Sequence, residues 1–78
     1  MRQINYMVFK KPHGSKVWTR ASDAELAGFA VANLFGRKKN AEGVANGMAE
    51  VDGKTHSYTI FECREVGYTC SPGGGRID

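Results

Sequence analysis

Cysteine and histidine carry the most versatile side-chain chemistry in this sequence, which contains two residues of each type. The cysteines, Cys63 and Cys70, lie seven residues apart, and the histidines are His13 and His56. Structural zinc sites take their ligands from closely spaced C-x2–4-C and H-x3–5-H pairs, which this chain lacks. Disulfides are uncommon in cytosolic proteins. The sequence therefore predicts two free thiols, no metal site and no cofactor.

Catalysis by a side-chain nucleophile requires a base within hydrogen-bonding distance. Cys63 and His56 lie on one predicted strand, where seven extended residues separate them by more than about 20 Å. Glu62 and Glu65 are three residues apart on that strand, so they point to opposite faces and do not form an acid–base pair. The glycines at 73–75 lack the Lys-Ser/Thr of a phosphate-binding loop. We expect the protein not to be an enzyme.

Aromatic and basic side chains form the set that favours binding. Aromatic rings surrounded by cations suit protein interfaces, and they also suit single-stranded nucleic acid, whose bases stack on such rings. The candidate binding residues are Phe9, Lys11, Lys16, Trp18, Arg20, Phe29, Arg37, Lys38 and Lys39. Structural roles compete with binding at each group. Phe9 and Trp18 would belong to the core if the sheet faces were reversed, Phe29 would tuck under a loop, and Arg37–Lys39 would complement a helix end.

One helix is predicted from Asp23 to Phe35. Ser22 is a favourable N-cap residue, and Glu25 stands at the capping-box position. Gly36 suits a left-handed C-cap, and the cations of Arg37–Lys39 would then lie beside the negative end of the helix dipole. The apolar stripe of this helix consists of Leu26, Ala27, Ala30, Val31 and Leu34.

A β-hairpin is predicted before this helix. Ile4–Lys11 is rich in β-forming residues, Pro12–Ser15 has the composition of a turn, and Lys16–Ala21 is the return strand. The predicted opposite pairs are Lys11 with Lys16, Phe9 with Trp18, and Met7 with Arg20.

The two faces of this hairpin differ in composition. The first face carries Ile4, Tyr6, Val8, Val17 and Thr19, whereas the second carries Met7, Phe9, Lys11, Lys16, Trp18 and Arg20. We expect the helix to cover the first face and leave the second open.

A second hairpin is predicted from Gly43 to Val66. Asp52-Gly53 is a strong signal for a type I′ turn, and Lys54–Val66 is the most strand-like run in the chain. The alternative is a helical turn near residues 40–45, because Ala41, Val44, Ala45 and Met48 are spaced like a helix face. Two glycines, which each cost a helix about 1 kcal/mol relative to alanine, favour the strand.

The predicted fold is α+β. It comprises a four-stranded antiparallel sheet with elements in the order β-β-α-β-β and one helix packed on one sheet face. We expect residues 1–70 to form a single domain and residues 71–78, which include Ser-Pro and three glycines, to form a flexible tail.

The composition limits the function further. The 78 residues carry a net charge of +3, and the chain contains neither an apolar run of about 18 residues nor a secretory signal. We therefore expect a cytoplasmic protein with no membrane partner. The first hypothesis is a module that binds a protein partner, which could be a nucleic-acid-handling complex. Small basic chains of this style occur among phage and mobile-element inhibitors of host nucleic-acid machinery, such as anti-CRISPR proteins. The alternatives are direct binding of single-stranded nucleic acid and a structural homodimer.

Overall fold

The computed structural model of the protein describes residues 4–64 and, for residues 69–77, the backbone only. It has an α+β fold in which one helix packs against an antiparallel sheet. The elements are β1 (Ile4–Pro12), β2 (Thr19–Arg20), α1 (Lys38–Asp52), β3 (His56–Arg64) and β4 (Thr69–Ile77). The strands lie side by side in the order β2-β1-β3-β4.

The long strands β1 and β3 form the centre of the sheet. They pair antiparallel over nine residues, from Ile4 opposite Arg64 to Pro12 opposite His56. Both runs were predicted as strands because of their aromatic and β-branched residues, and both predictions are confirmed over the described residues. The pairing itself joins the two runs across more than 40 residues of intervening chain, so no local turn signal indicates it.

Helix α1 occupies the segment that the sequence favoured as a strand. Its buried residues are Ala41, Val44, Ala45 and Met48, the four whose spacing matched a helix face. The predicted strand Gly43–Val51 is therefore wrong, and the helical alternative near residues 40–45 covers only part of the helix. Burial of this stripe against the sheet outweighs the unfavourable helix propensity of Gly43 and Gly47.

The predicted type I′ turn at Asp52-Gly53 is also wrong. Asp52 is the last residue of α1, and Gly53 has φ −62°, whereas a type I′ turn requires positive φ at both central residues. The Thr55 amide and hydroxyl groups donate hydrogen bonds of 3.1 and 3.2 Å to the Asp52 carbonyl oxygen. A Cβ atom at Gly53 would collide with the Ala49 carbonyl oxygen, so this glycine serves the end of the helix.

The segment 22–35 begins like the predicted helix but does not continue as one. Ser22 Oγ accepts a hydrogen bond of 3.1 Å from the Glu25 amide, which is the predicted capping contact. Turn-like hydrogen bonds then extend to Ala30, and Gly28 adopts φ +97°. That left-handed conformation is incompatible with an α-helix through Gly28. The predicted helix Asp23–Phe35 is therefore wrong.

The second half of this segment pairs with the edge of β1 instead. Asn33 is fully buried, and its side-chain oxygen accepts a 2.7 Å hydrogen bond from the Val8 amide. Its Nδ2 donates to the carbonyl oxygens of Val8 (2.9 Å) and Ala21 (2.7 Å). Phe35 and Tyr6 exchange two backbone hydrogen bonds of 2.7 and 2.9 Å. Asn33 thus substitutes for a strand residue, and this pairing explains why the segment leaves the helical conformation.

The short strand β2 pairs with β1 in a register two residues from the predicted one. Arg20 lies opposite Phe9, not Met7, and Thr19 lies opposite Lys10. The faces are preserved because the shift is an even number of residues. The loop before β2 is correspondingly longer than predicted, and Val17 is 66% exposed in it, so its predicted place on the core face is wrong.

The core lies between α1 and the sheet face that carries Tyr6 and Val8. Val8 and Ile60 from the central strands contact the buried stripe of α1 in one hydrophobic cluster, which also contains Leu26. The face predicted to hold a helix is thus the covered one, although the covering helix is α1. The predicted fourth strand and the predicted order of elements are not confirmed, because the helix and one strand fall on segments other than those predicted.

Strand β4 contains Cys70 and most of the predicted tail. Cys63 is disulfide-bonded, and its Cα partner in the register of β3 with β4 is Cys70. The prediction that Cys63 is a free thiol is therefore wrong. The backbone of Thr69–Ile77 pairs with β3, so the flexibility expected of residues 71–78 stays a prediction, and residue 78 lies outside the described residues.

Within the described part of the chain, no helix combines the length and apolar character that crossing a membrane would require.

Candidate functional site

The sheet face opposite α1 brings together four of the nine aromatic and basic residues singled out from the sequence. Alternate residues of β1 and β3 point to this side, which places Phe9, Lys11 and Phe61 on one face, with Phe9 diagonally adjacent to Phe61. Arg20 joins them through its register with Phe9. The sheet-face cluster is defined here as Phe9, Lys11, Trp18, Arg20 and Phe61.

Two ring contacts organise the sheet-face cluster. Phe9 and Phe61 stack with their ring centroids 4.0 Å apart and an angle of 17° between the planes. Lys11 Nζ lies 5.1 Å from the centroid of the Trp18 ring, a cation–π distance. Lys11 Nζ also donates a 3.2 Å hydrogen bond to the Ser15 carbonyl oxygen. Lys11 is thereby joined to the loop between β1 and β2 at two points, the Ser15 carbonyl oxygen and the Trp18 ring.

The predicted binding cations differ in how far the fold already uses them. Arg20 Nη2 lies 3.4 Å from the Asn33 carbonyl oxygen and 3.6 Å from Asp23 Oδ1, so Arg20 joins the sheet edge to the segment 22–35. Lys16 is exposed in the loop and has no hydrogen bond or ion pair with any described residue. Lys16 is therefore the cation near this face that is most available to a partner.

The face is less open than the sequence predicted. Met7, which was expected on the open face, is only 7% exposed, and Thr59 and Cys63 on the same side are buried as well. Phe9, Trp18 and Phe61 are half-buried. Accessible aromatic surface is therefore concentrated at the end of the face nearest the loop between β1 and β2.

A second candidate surface is a groove of about 580 Å³ between the segment 22–35 and the first half of α1. The groove is lined by Phe29, Phe35, Lys39, Asn40, Gly43 and Val44. Phe29 is 44% exposed, and a Cβ atom at Gly47 would lie only 2.5 Å from its ring. Two of the predicted binding residues, Phe29 and Lys39, thus come together in this groove. The side chain of Phe29 packs against α1, not under a loop, and remains accessible. Its role in binding a partner stays a prediction.

The basic run Arg37–Lys39 lies at the opposite helix end from the one predicted. Arg37 is the N-cap residue of α1, no described side chain caps the helix there, and its first turn contains no acidic residue. Cations at a helix N-terminus are repelled by the dipole, by about 0.3–1 kcal/mol each near the end. The structural explanation offered for these cations, that they complement a helix C-terminus, is therefore wrong. Their charge lowers the stability of the helix that they begin.

Two ionisable groups with shifted pKa values join the sheet to the segments that pack on it. An ion pair and hydrogen bond with Lys10 lowers the pKa of Glu25. Burial, together with the nearby Asp52 carboxylate, raises the pKa of Tyr58 to about 12. The Tyr58 hydroxyl donates a 3.4 Å hydrogen bond to Asp52 Oδ2. Both groups lie on the α1 side of the sheet, away from the sheet-face cluster.

The histidines of the described residues lie close to one threonine and not to a cluster of metal ligands. His56 Nδ1 is 2.8 Å from Thr55 Oγ1, and the His13 amide donates a hydrogen bond to the Thr55 carbonyl oxygen. In this part of the chain, no three His, Cys, Asp or Glu side chains converge to hold a metal ion. That the protein is not an enzyme stays a prediction.

The sequence did not predict Phe61 of the sheet-face cluster or four residues that line the groove, which are Phe35, Asn40, Gly43 and Val44. Phe61 belongs to a run whose strand was predicted, but its partner Phe9 becomes evident only from the pairing of β1 with β3. Phe35 was predicted to end a helix, and no role was predicted for Asn40, so their place in one groove was not foreseen. No family model, curated protein or solved structure matches this chain, so a functional assignment depends on the geometry of these surfaces alone.

Proposed function

We propose that the protein is a non-enzymatic module that binds another protein through the sheet-face cluster. One observation carries this proposal: aromatic rings and cations meet on the side of the sheet opposite α1, where the described residues of β1, β2 and β3 contribute no carboxylate. Asp23 of the segment 22–35 lies 3.6 Å from Arg20 at the sheet edge. The residues of β1, β2 and β3 that point to this side are Asn5, Met7, Phe9, Lys11, Arg20, Ser57, Thr59, Phe61 and Cys63. A partner with acidic residues around an apolar patch would complement this surface.

The arrangement of the rings favours a protein partner over single-stranded nucleic acid. Phe9 and Phe61 already stack on each other, and Lys11 already lies over Trp18. Bases would need free ring faces and mobile cations, whereas a protein hot spot uses half-buried rings that are held in place by their neighbours. Aromatic rings and cations attract both kinds of partner, so the experiment must distinguish protein binding from nucleic-acid binding.

The narrower hypothesis of a phage or mobile-element inhibitor of nucleic-acid machinery remains part of this proposal. It rests on the small size and basic character of the chain. The acidic partner surface that the sheet-face cluster would suit is compatible with this hypothesis but does not distinguish it from other protein partners.

Site-specific photo-crosslinking tests the proposal. A crosslinking amino acid at Lys16, beside the cluster, should capture a discrete protein from an extract of the source cells. The same residue at the exposed Asn46 of α1 is the matched control and should not capture that protein. Trp18→Ala in the Lys16-labelled protein should abolish the capture, because Trp18 supplies the accessible ring.

Three outcomes would contradict the proposal. Equal capture from positions 16 and 46 would show that the sheet face is not the binding surface. Retention of the wild type on a single-stranded DNA column at low salt, lost in Trp18→Ala, would favour nucleic acid instead. A mass of twice 8.5 kDa in light scattering, with crosslinking between copies from position 16, would indicate a homodimer.

A further inference from the structure

The groove beside α1 combines apolar walls with a positive end. Phe29, Phe35 and Val44 supply the apolar walls, and Lys39 and Asn40 supply polar atoms from the first turn of the helix. Its volume of about 580 Å³ falls within the usual range of small-molecule sites. From this composition we propose that the groove binds a small carboxylate with an apolar body, such as a medium-chain fatty acid. This inference is independent of the function proposed for the sheet-face cluster.

The polar and apolar parts of the groove are separated along the helix axis. Lys39 and Asn40 stand in the first turn of α1, whereas the Phe29 ring lies over Gly47, about 12 Å further along the axis. Gly43 lies between these ends and lines the groove without a side chain. An elongated ligand with one charged end therefore fits this lining, which is polar at Lys39 and Asn40 and apolar at Phe29.

Charge complementarity selects an anion for the polar end. Lys39 is exposed and lines the groove, Arg37 and Lys38 adjoin it in the sequence, and none of the lining side chains is acidic. The nearest carboxylate in the helix sequence, Glu42, is not part of the lining. The three cations lower the stability of α1 where they stand. A bound carboxylate near Lys39 would offset that repulsion.

The walls of the groove are held in place by the fold. The amide and carbonyl groups of Phe35 both pair with Tyr6 in β1, so they do not compete for the ligand's polar group. Phe29 packs over Gly47, where the absence of a Cβ atom leaves room for the ring. Phe35 also packs against the hydrophobic core cluster. Both phenyl rings are thus packed against the fold before any ligand arrives, which limits the entropy lost on binding.

Titration of ¹⁵N-labelled protein with sodium octanoate tests the proposal. We expect saturable amide shifts at Phe29, Phe35 and Val44, and much weaker shifts with 1-octanol, which lacks the charge. Lys39→Gln should weaken octanoate binding about fivefold. Lys38→Gln is the matched control because it removes a neighbouring charge outside the lining, and it should weaken binding less than about twofold.

A second pair of variants tests the location. A Cβ atom at Gly43 meets nothing within 4 Å, so Gly43→Leu should fold and fill the groove, which abolishes the octanoate shifts. Lys38→Leu adds the same side chain on a side of α1 away from the lining and should weaken binding no more than Lys38→Gln does. The proposal is overturned by absent or unsaturable shifts, by equal binding of octanol, by equal effects of Lys38→Gln and Lys39→Gln, or by octanoate binding that survives Gly43→Leu.

Discussion

Two consecutive segments of this chain, residues 22–35 and α1, have similar lengths but different conformations. The first begins with a capped turn, leaves the helical conformation at Gly28 and ends paired with the edge of β1. The second is a continuous helix of 15 residues despite two internal glycines and three cations at its start. The segment with the better local helix signals is therefore not the helix.

The difference lies in the contacts that each segment makes with the sheet. α1 buries a stripe of four small and medium side chains against β1 and β3, and such burial supplies most helix stability in proteins. The segment 22–35 instead supplies hydrogen-bonding partners to an edge of β1 that the two-residue strand β2 leaves largely unpaired. Long-range pairing thus decides the conformation of both segments.

The largest expected effect is at Asn33, which replaces a strand residue beside β1. Asn33→Ala removes three hydrogen bonds and leaves the Val8 amide without its partner. We expect the free energy of unfolding to fall by about 3 kcal/mol or more. Urea denaturation measures the change. Asn46→Ala, at an exposed position of α1, is the control and should change it by less than about 0.5 kcal/mol. A loss below about 1 kcal/mol for Asn33→Ala would contradict its bridging role.

The next effect concerns the contact between the two segments. Gly47→Ala should lower the free energy of unfolding by about 1 kcal/mol, because the new Cβ atom would lie 2.5 Å from the Phe29 ring. In a Phe29→Ala background the same change should raise it by about 1 kcal/mol, the usual helix gain. The double-mutant cycle would thus give a coupling of about 2 kcal/mol. Additive effects would show that Phe29 does not pack on Gly47.

A smaller effect on stability is expected at alkaline pH, where Tyr58 of β3 loses the proton that it donates to Asp52 of α1. The folded pKa of Tyr58 is about 12, above its ordinary value of 10.0. Its contribution to stability is therefore complete below pH 10 and is lost as the pH rises through 12. Denaturation midpoints measured across this range should fall more steeply in the wild type than in Tyr58→Phe. Parallel curves for the two proteins would show that Tyr58 titrates alike in the folded and unfolded chains.

The smallest effect on stability is expected at acid pH, for the ion pair between Glu25 of the segment 22–35 and Lys10 of β1. Lys10 lowers the pKa of Glu25 from its ordinary value of 4.5, so the pair stabilises the fold above that value. The contribution is lost as the pH falls through the lower, folded pKa. Because both side chains are partly exposed, the loss should stay below about 1 kcal/mol. Acid denaturation of Glu25→Gln, compared with the wild type, measures it. An unchanged acid profile would contradict the pairing.

The parts of the fold that could be predicted depend on patterns within one element. The strands β1 and β3 follow from β-forming residues, and the alternation along β1 indicated which face the core occupies. The side chains of the α1 stripe were visible at helical spacing, but Asp52-Gly53 carries a turn signal that the end of a helix uses equally well. A local pattern does not specify whether Asp52-Gly53 forms a hairpin turn or ends a helix, because burial of the preceding residues against a distant strand decides it.

The candidate site could likewise be predicted only where its residues follow a pattern within one element. Phe9 and Lys11 share a face because alternate residues of β1 do, and the two-residue register shift keeps Arg20 on that face. Trp18 contacts Lys11 from the loop before β2. Arg20 was foreseen as a binding cation but contacts Asn33, whose role as a substitute strand residue leaves no periodic signal. The groove depends on the packing of two misassigned segments, so only its members Phe29 and Lys39 were foreseen.

One paired measurement tests most directly whether long-range contacts decide the two conformations. Gly28 has φ +97°, whereas Gly43 lies within α1 and a Cβ atom there would meet nothing. Gly28→Ala should lower the free energy of unfolding by about 1 kcal/mol because alanine is strained at that φ, and Gly43→Ala should raise it by about 1 kcal/mol. Opposite signs in urea denaturation are the predicted result. A rise for Gly28→Ala would indicate that residues 22–35 form a continuous helix after all, and would contradict this account.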